Sequence, residues 1–391
     1  MAEVVVVSYA RTPIGAFQGA LSTVSAPHLG AAAIKAALER AKLQPEHVNE
    51  VILGNVLSAG IGQAPARQAA LYAGLPHSTP CMTINKVCGS GMKALMLGMQ
   101  SILLGDSKVV VAGGMENMSL VPYLAPGARE GYRLGHKQLI DAMVFDGLWD
   151  PYNDQHMGNC AELCAAEKGF SRQEQDAYAI ESFRRAQAAQ AAGHFKDEIV
   201  PVEVPGRKGA ITVSTDEGPA KVDFDKIPGL RPAFQKDGTV TAANASSIND
   251  GAAVLVLMDR ETAERNGLTP LARLVCHASY AHTPEWFTTA PIPAVQAALK
   301  KAQWDIGSVD AFEINEAFAV VALAAQKELG IPSKKLNALG GAVALGHPIG
   351  ASGARIVCTL LSSLKANGGK RGVAGICIGG GEATALCLER L

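Results

Sequence analysis

Charge is scarce in this chain: Asp, Glu, Lys and Arg make up 18% of 391 residues, and the formal net charge is −1. No Lys/Arg block is dense enough to track a phosphate backbone, which argues against nucleic acid as a partner. No stretch reads as long enough to cross a bilayer, so no membrane role is expected. The start, Met1-Ala2-Glu3-Val4-Val5-Val6-Val7, places an acid before a short apolar run, unlike the basic start and longer apolar core of a signal peptide. Eight cysteines are too few and too irregular for a disulfide framework, and a reducing, cytoplasmic setting is the expectation. A Walker-type phosphate loop is missing, and the glycines around the cysteines open no dinucleotide fingerprint.

What the chain does have is apolar residues, at 48%, and glycine, at 41 residues. Its length exceeds the ~250–300 residues at which one core stops growing, so two or more packed units are expected. Residues 4–8, 51–53, 83–87 and 108–113 read as strands, and 31–43, 66–73 and 90–104 as helices at 3.6-residue spacing. Alternation of this kind predicts an α/β fold with a mostly parallel sheet.

The end of the chain repeats the beginning. Ser90-Gly91-Met92-Lys93 falls on Ser352-Gly353-Ala354-Arg355 at an offset of 262, which also carries Val111-Ala112-Gly113 onto Val373-Ala374-Gly375. An offset of 261 carries Ala36-Ala37-Leu38 onto Ala297-Ala298-Leu299 and Val48 onto Val309. Four matches in chain order predict a duplicated βαβ half. Between the copies, proline and charge increase, with a helix over 171–192 that starts at Ser171 with Glu174 in capping-box position, then a loop-rich stretch over 201–232. The expected division is an N-terminal half over 1–118, an inserted loop domain over 119–248, a return to the first half over 249–270, and a C-terminal half over 271–391.

Two thiols stand out. Cys88 in Asn85-Lys86-Val87-Cys88-Gly89-Ser90-Gly91 sits at a strand-to-helix turn, where the helix dipole is expected to lower its pKa toward neutrality. Cys377 in Cys377-Ile378-Gly379-Gly380-Gly381 follows a buried strand, and the N–H groups after it suit an oxyanion nest. His347, between Gly346 and Pro348, is the candidate general base among nine histidines. Asn315, in Glu313-Ile314-Asn315-Glu316-Ala317-Phe318, stands at a strand end, as a ligand-facing group or as a helix cap. His156, Cys160 and Cys164 share a helical face and read as core rather than as metal ligands, so no metal is expected.

The segments around Cys88, Asn315-Glu316-Ala317-Phe318, Gly346-His347-Pro348 and Cys377 resemble the four motifs of the thiolase family, in that family's order and across the whole chain. The resemblance implies the thiolase fold, with duplicated βαβ halves in an αβαβα layered core and an inserted loop domain that binds coenzyme A. It implies a homo-oligomer, most often a tetramer, and an acyltransferase that needs no cofactor, coenzyme A being substrate and product. The implied reaction is reversible Claisen condensation of two acetyl-CoA to acetoacetyl-CoA. Cys88 would carry the acyl group, His347 would activate it, and Cys377 would move the α-proton. Asn315 would hold a water at the enolate oxygen, and the N–H groups of Cys88 and Gly379 would form the second oxyanion hole. Leu148, His156, Met157, Phe234, Ala242, Ser246, Ala317 and Phe318 fall in segments similar to those lining the pantetheine arm. Phe287, in Trp286-Phe287-Thr288-Thr289-Ala290-Pro291, replaces a methionine that borders the acyl pocket, and Gly218-Pro219-Ala220-Lys221 replaces an Arg-His-Gly segment that clamps adenine in some members. Three rivals stand beside this reading: a broad or long-chain 3-ketoacyl-CoA thiolase of fatty-acid oxidation, a non-catalytic acyl-CoA or lipid carrier on the same scaffold, and a condensing enzyme acting on acyl carrier protein. The last group typically has a second histidine where this chain has Asn315.

Overall fold

The computed structural model describes residues 3–206 and 209–391. Met1-Ala2 of the expected acidic start and Arg207-Lys208 of the loop-rich stretch lie outside the described residues. Nine principal strands form one sheet: β1 (Val4–Arg11), β2 (Glu50–Gly54), β3 (Cys81–Ile84), β4 (Val109–Asn117), β5 (Asn249–Asp259), β6 (Ala272–Ala281), β7 (Ala311–Ile314), β8 (Arg371–Ile378) and β9 (Glu382–Arg390). Their spatial order is β7-β8-β9-β6-β1-β5-β4-β2-β3. The order is palindromic about the β6–β1 seam. Outward from β1 run β5, β4, β2 and β3; outward from β6 run β9, β8, β7 and a single bridge from Phe312 to Leu336 in the place of β3. The seam itself is short, Val5 opposite Arg273 and Val6 opposite Ala272.

The expected mostly parallel sheet is corrected to a mixed one. β2–β3, β2–β4 and β7–β8 run parallel. β1–β5, β1–β6, β4–β5, β6–β9 and β8–β9 run antiparallel. Helical crossovers return a strand parallel to its predecessor, but each half closes with a strand that folds back on its neighbour. In the second half this is a hairpin, β8–β9, turning through Gly379-Gly380-Gly381 with φ of +88° and +83° at the last two, a conformation that glycine adopts without strain. In the first half the matching pair β4–β5 is joined by residues 118–248 instead of a tight turn.

The principal helices are α1 (Ala26–Ala41), α2 (Pro65–Tyr72), α3 (Ser90–Leu104), α4 (Met157–Lys168), α5 (Arg172–Ala192), α6 (Pro291–Ala302), α7 (Ala319–Leu329) and α8 (Ile349–Asn367). α1 begins five residues before the apolar run suggests, because Pro27 is tolerated in a first turn. α1 and α2 cover the first half-sheet, α6 and α7 the second, and α3 with α8 fills the space between them. Every residue from Ile349 to Leu364 is buried, as expected of a helix enclosed on all sides. The two central helices touch where the repeat predicts equivalence. A Cβ on Gly91 would lie 2.7 Å from the backbone nitrogen of Ala354, and one on Gly353 would strike that of Met92. One apolar window around α3 does reach the length that was expected of no stretch, and the close crossing accounts for its composition. Val87–Leu104 has 18 residues and a mean hydropathy of 1.3, and much of it is interior to the layered core.

Residues 118–248 carry α4, α5 and short two-stranded pairs outside the main sheet. α5 opens with the expected capping box, Ser171 Oγ accepting from Glu174 N and the Glu174 carboxylate accepting from Ser171 N. The stretch expected as loop includes a hairpin, Val202–Val204 with Ile211–Val213. Below it a buried ion network joins insertion and core: Arg11 meets Glu198 and Asp216, each at 2.6 Å.

Candidate active site

Cys88 stands in the turn between β3 and α3, and the backbone there is strained. Val87 has φ of +43°, which costs a β-branched residue about 1–3 kcal/mol. Local bonds hold it: Val87 N donates to Asn85 Oδ1 at 2.9 Å, Lys86 N to Ser90 Oγ at 2.8 Å, and Ser90 Oγ to Val87 O at 2.7 Å. The result aims Cys88 away from the sheet. Gly89 is needed for space rather than for φ, since any Cβ would enter the Ile378 side chain of the other half.

The second half delivers three more groups to the same point. His347 lies in the turn before α8, its N–H bonded to Asn249 Oδ1 at 2.9 Å and its ring Nδ1 2.6 Å from Ser352 Oγ. Among the described residues, Nε2 of His347 has no hydrogen-bond partner. Gly379, in the β8–β9 turn, directs its N–H at the Cys88 sulfur, as does the N–H of Cys88 itself. Cys377, next to last in β8, is fully buried, with the N–H of Ala317 on its sulfur and Cys88 close enough that the two would repel if both ionised.

Asn315 does not cap a helix, which removes one of the two roles open to it. α7 begins four residues later, with Phe318 at its N-cap position. Asn315 N donates to Gly375 O at 2.9 Å, its Oδ1 faces Arg355 Nη2 at 3.4 Å, and its Nδ2 has no partner among the described residues.

A cavity of ≈ 280 Å³ opens onto Cys88, His347 and Gly379, while the side chains of Cys377 and Asn315 are buried behind it and are not part of its lining. Cys88, His347 and Gly379 line it from the core, and the insertion contributes Leu148, His156, Met157, Phe234 and Ser246. Phe287, Ala317 and Phe318 complete its apolar wall. His156 and Phe234 stack at 4.8 Å, and Phe318 meets Phe234 and Phe287 edge-on at 6.1 and 6.3 Å. His156 is an N-cap, its Nδ1 accepting from Gly158 N at 3.0 Å, which leaves the ring proton on Nε2. Cys160 and Cys164 are buried in the core of α4. Ala242 does not line this cavity. It lines an adjoining one of ≈ 330 Å³ with Gly218, Lys221 and Lys226, and Ser247 belongs to both.

Electrostatics correct one expectation. Cys88 is half-buried at the cavity floor, and crowding around its sulfur pushes the thiol up to about 11, against the pull of the two N–H groups. The helix terminus has the right sign, but desolvation outweighs it. Burial, with the Arg355 charge behind it, pushes His347 down to about 3, so its ring is neutral at pH 7. Burial, with the proximity of Cys88, raises Cys377 well above the usual thiol range. The resting site therefore holds two thiols and a neutral imidazole. Alkylation of Cys88 by iodoacetamide is expected to accelerate about tenfold per pH unit across neutrality, following the thiolate fraction. Peptide mapping of alkylated Cys88 against pH checks this, and a plateau near neutral pH would contradict it.

Several residues that matter here carry no signal by residue type. Glu116 is fully buried and accepts from Asn55 Nδ2 at 2.7 Å, Val56 N at 3.0 Å, Leu57 N at 3.2 Å and Gly350 N at 2.9 Å. Burial pushes its carboxyl up to about 7. It ties the end of β2 to the start of α8, and so the nucleophile's half to the histidine's. Asn249 pins the His347 backbone, and Ser247 Oγ and the Gly15 carbonyl hold Asn249 in turn. Only Ser352 was foreshadowed, by its repeat match to Ser90.

Comparison with known proteins places this geometry in context. The family model described as thiolase, N-terminal domain, matches residues 4–261, and that described as thiolase, C-terminal domain, matches residues 268–390. An acetyl-CoA acetyltransferase of Cupriavidus necator is 53% identical over 392 aligned residues, covering 100% of both chains. Acetyl-CoA acetyltransferase 2 of Arabidopsis thaliana is 56% identical, covering 100% of this chain and 97% of its own. Among solved structures, the Bacillus anthracis acetyl-CoA acetyltransferase superposes with a TM-score of 0.98 at 43% identity, covering 100% of this chain and 99% of that one. An Ascaris suum thiolase in complex with coenzyme A superposes with a TM-score of 0.95 at 46% identity, covering 100% of both.

Proposed function

The chain belongs to the thiolase family, and from that premise we propose that it joins two acetyl-CoA into acetoacetyl-CoA and free coenzyme A, and runs the reverse cleavage, through an acetyl thioester on Cys88. The observation that carries this reading is the convergence of Cys88, His347 and Gly379 on one small cavity, with Cys377 buried near Cys88.

The protonation states order the steps. The neutral ring of His347 accepts the Cys88 proton as the sulfur attacks the acetyl carbonyl, so the thiolate forms only when substrate is in place. The carbonyl oxygen becomes an oxyanion between the N–H groups of Cys88 and Gly379. The tetrahedral species collapses, releasing coenzyme A thiolate, which takes the Cys377 proton and leaves Cys377 ionised. A thiolate in so apolar a setting is a strong base, and it removes the α-proton of the second acetyl-CoA. The enolate oxygen meets His347, now protonated at Nε2, and a water held by Asn315 Nδ2. Its carbon attacks the acetyl group, acetoacetyl-CoA forms, and Cys88 recovers its proton from His347. Every proton returns to its origin, which is why the site needs no external acid.

Phe287, Phe318 and Met157 support a short acyl group, since they close the apolar wall of a ≈ 280 Å³ cavity. The adjoining cavity with Lys221 and Lys226 suits the phosphate-bearing end of coenzyme A. Incubation with acetyl-CoA followed by peptide mass spectrometry is expected to find one acetyl group on Cys88, with acetoacetyl-CoA cleaved at higher kcat/KM than long-chain 3-ketoacyl-CoA. No adduct under turnover conditions would point to a carrier, and a preference for long chains to a broader thiolase.

A further inference from the structure

We propose that Ser352 is a positioning residue that fixes the proton of His347 on Nδ1 and so keeps Nε2 free to receive the Cys88 proton, an inference that rests on the reading of His347 as the base. The geometry is a relay. Ser352 Oγ donates to Pro348 O at 2.9 Å and lies 2.6 Å from His347 Nδ1. A hydroxyl has one hydrogen. With that hydrogen on the carbonyl, the oxygen presents a lone pair to the ring, and the ring nitrogen facing it must be the donor. Ser352 is fully buried, so bulk water does not compete for either bond. A neutral imidazole has a single N–H, and placing it on Nδ1 leaves Nε2 as a bare acceptor at the cavity.

The internal repeat supplies an independent observation. Ser352 matches Ser90 at the offset of 262, and both stand in the first turn of a central helix. Ser90 Oγ accepts from Lys86 N at 2.8 Å and donates to Val87 O at 2.7 Å. Neither direction is ambiguous there, because a backbone N–H only donates and a carbonyl only accepts. The same accept-and-donate pattern at Ser352 puts the His347 N–H in the place of the Lys86 N–H. One serine steadies the turn that presents the nucleophile, and its copy steadies the base. Asn249 already anchors the His347 backbone through its N–H, so what Ser352 adds is the ring's rotation and tautomer.

Ser352→Ala removes the acceptor and leaves a buried ring N–H unpaired, which favours moving the proton to Nε2. In single-turnover experiments, acetylation of Cys88 by acetyl-CoA is expected to slow about 10²-fold, at the lower end of a general base's contribution. The KM for acetyl-CoA should change by less than about threefold, since tautomer choice alters the transition state and not uniform binding. Imidazole ¹⁵N spectra, assigned by the signals lost in His347→Gln, should show Nδ1 protonated in the parent and Nε2 protonated in Ser352→Ala. If His347→Gln is slow while Ser352→Ala acetylates at the parental rate with unchanged ¹⁵N shifts, the assignment to Ser352 is overturned and His347 as base stands. Should His347→Gln itself acetylate Cys88 at the parental rate, the reading of His347 fails and this inference with it.

Discussion

Cys88→Ser is expected to lower acetoacetyl-CoA cleavage by at least about 10⁴-fold, equivalent to about 5.4 kcal/mol of barrier, with little change in stability. A hydroxyl in the same place must shed its proton to a base that burial holds at about 3, and an alcohol ionises far less readily than a thiol at about 11. The thiol is already difficult to ionise, and oxygen compounds the difficulty. The oxygen is also the worse leaving group when acetoacetyl-CoA is formed, so an ester once made would persist. The fold should not suffer, because serine and cysteine are close in volume and the side chain faces the cavity. Steady-state cleavage with coenzyme A as acceptor measures the loss, and thermal unfolding checks the fold. A variant retaining a tenth of the parental rate would remove Cys88 from the role of acyl carrier.

Cys377→Ala is expected to separate the two half-reactions. Acetyl transfer to Cys88 needs the nucleophile, the base and the N–H groups of Cys88 and Gly379, all of which remain, and coenzyme A thiolate departs without strong assistance. Carbon–carbon bond formation needs the α-proton removed, and His347, the other base at the cavity, already carries the Cys88 proton at that stage. Condensation should fall about 10³-fold, within the range that general base catalysis contributes, while acetyl-Cys88 accumulates. Alanine is the better replacement: serine would bury a hydroxyl beside the Cys88 sulfur, whereas alanine leaves a small apolar gap costing about 1 kcal/mol. Parallel assays of adduct formation and acetoacetyl-CoA synthesis read the two steps. An equal loss in both would assign Cys377 to something other than the α-proton.

The parts of this molecule that were legible in the sequence are those written in local chemistry. Helix α5 was readable from Ser171 and Glu174, because a capping box closes within four residues. The repeat was readable because Ser90-Gly91 and Ser352-Gly353 need small residues where two helices cross. Cys88, His347, Gly379 and most of the apolar wall were readable as motifs, and they do share one cavity. Strand direction was not, since period and length are alike in parallel and antiparallel strands, and only the partner decides. The thiol's acidity failed for a related reason. A helix terminus is visible at Gly89-Ser90, but the burial that outweighs it comes from residues remote in the chain, such as Met118 and Ile349 in the apolar cluster that Cys88 packs against. Glu116 and Asn249 act through partners equally remote, and an isolated Glu or Asn in a strand announces nothing.

The glycine hairpin between β8 and β9 has a counterpart that is not a hairpin, and the difference divides the molecule's labour. Where one half turns through Gly379-Gly380-Gly381, the other sends out residues 118–248 from the same pair of strand ends. The short turn delivers the Gly379 N–H to the reacting sulfur. The long excursion delivers Leu148, His156, Met157, Phe234 and Ser246 to the rim. The reacting sulfur thus meets groups from segments close to the duplicated frame, while the cavity wall is shared between the stretch that breaks the duplication and Phe287, Ala317 and Phe318 of the second half. A graft between Asn117 and Asn249 would have to keep Glu198, Asp216 and Ser247, because these tie the excursion to Arg11 and to the Asn249 that pins the His347 turn.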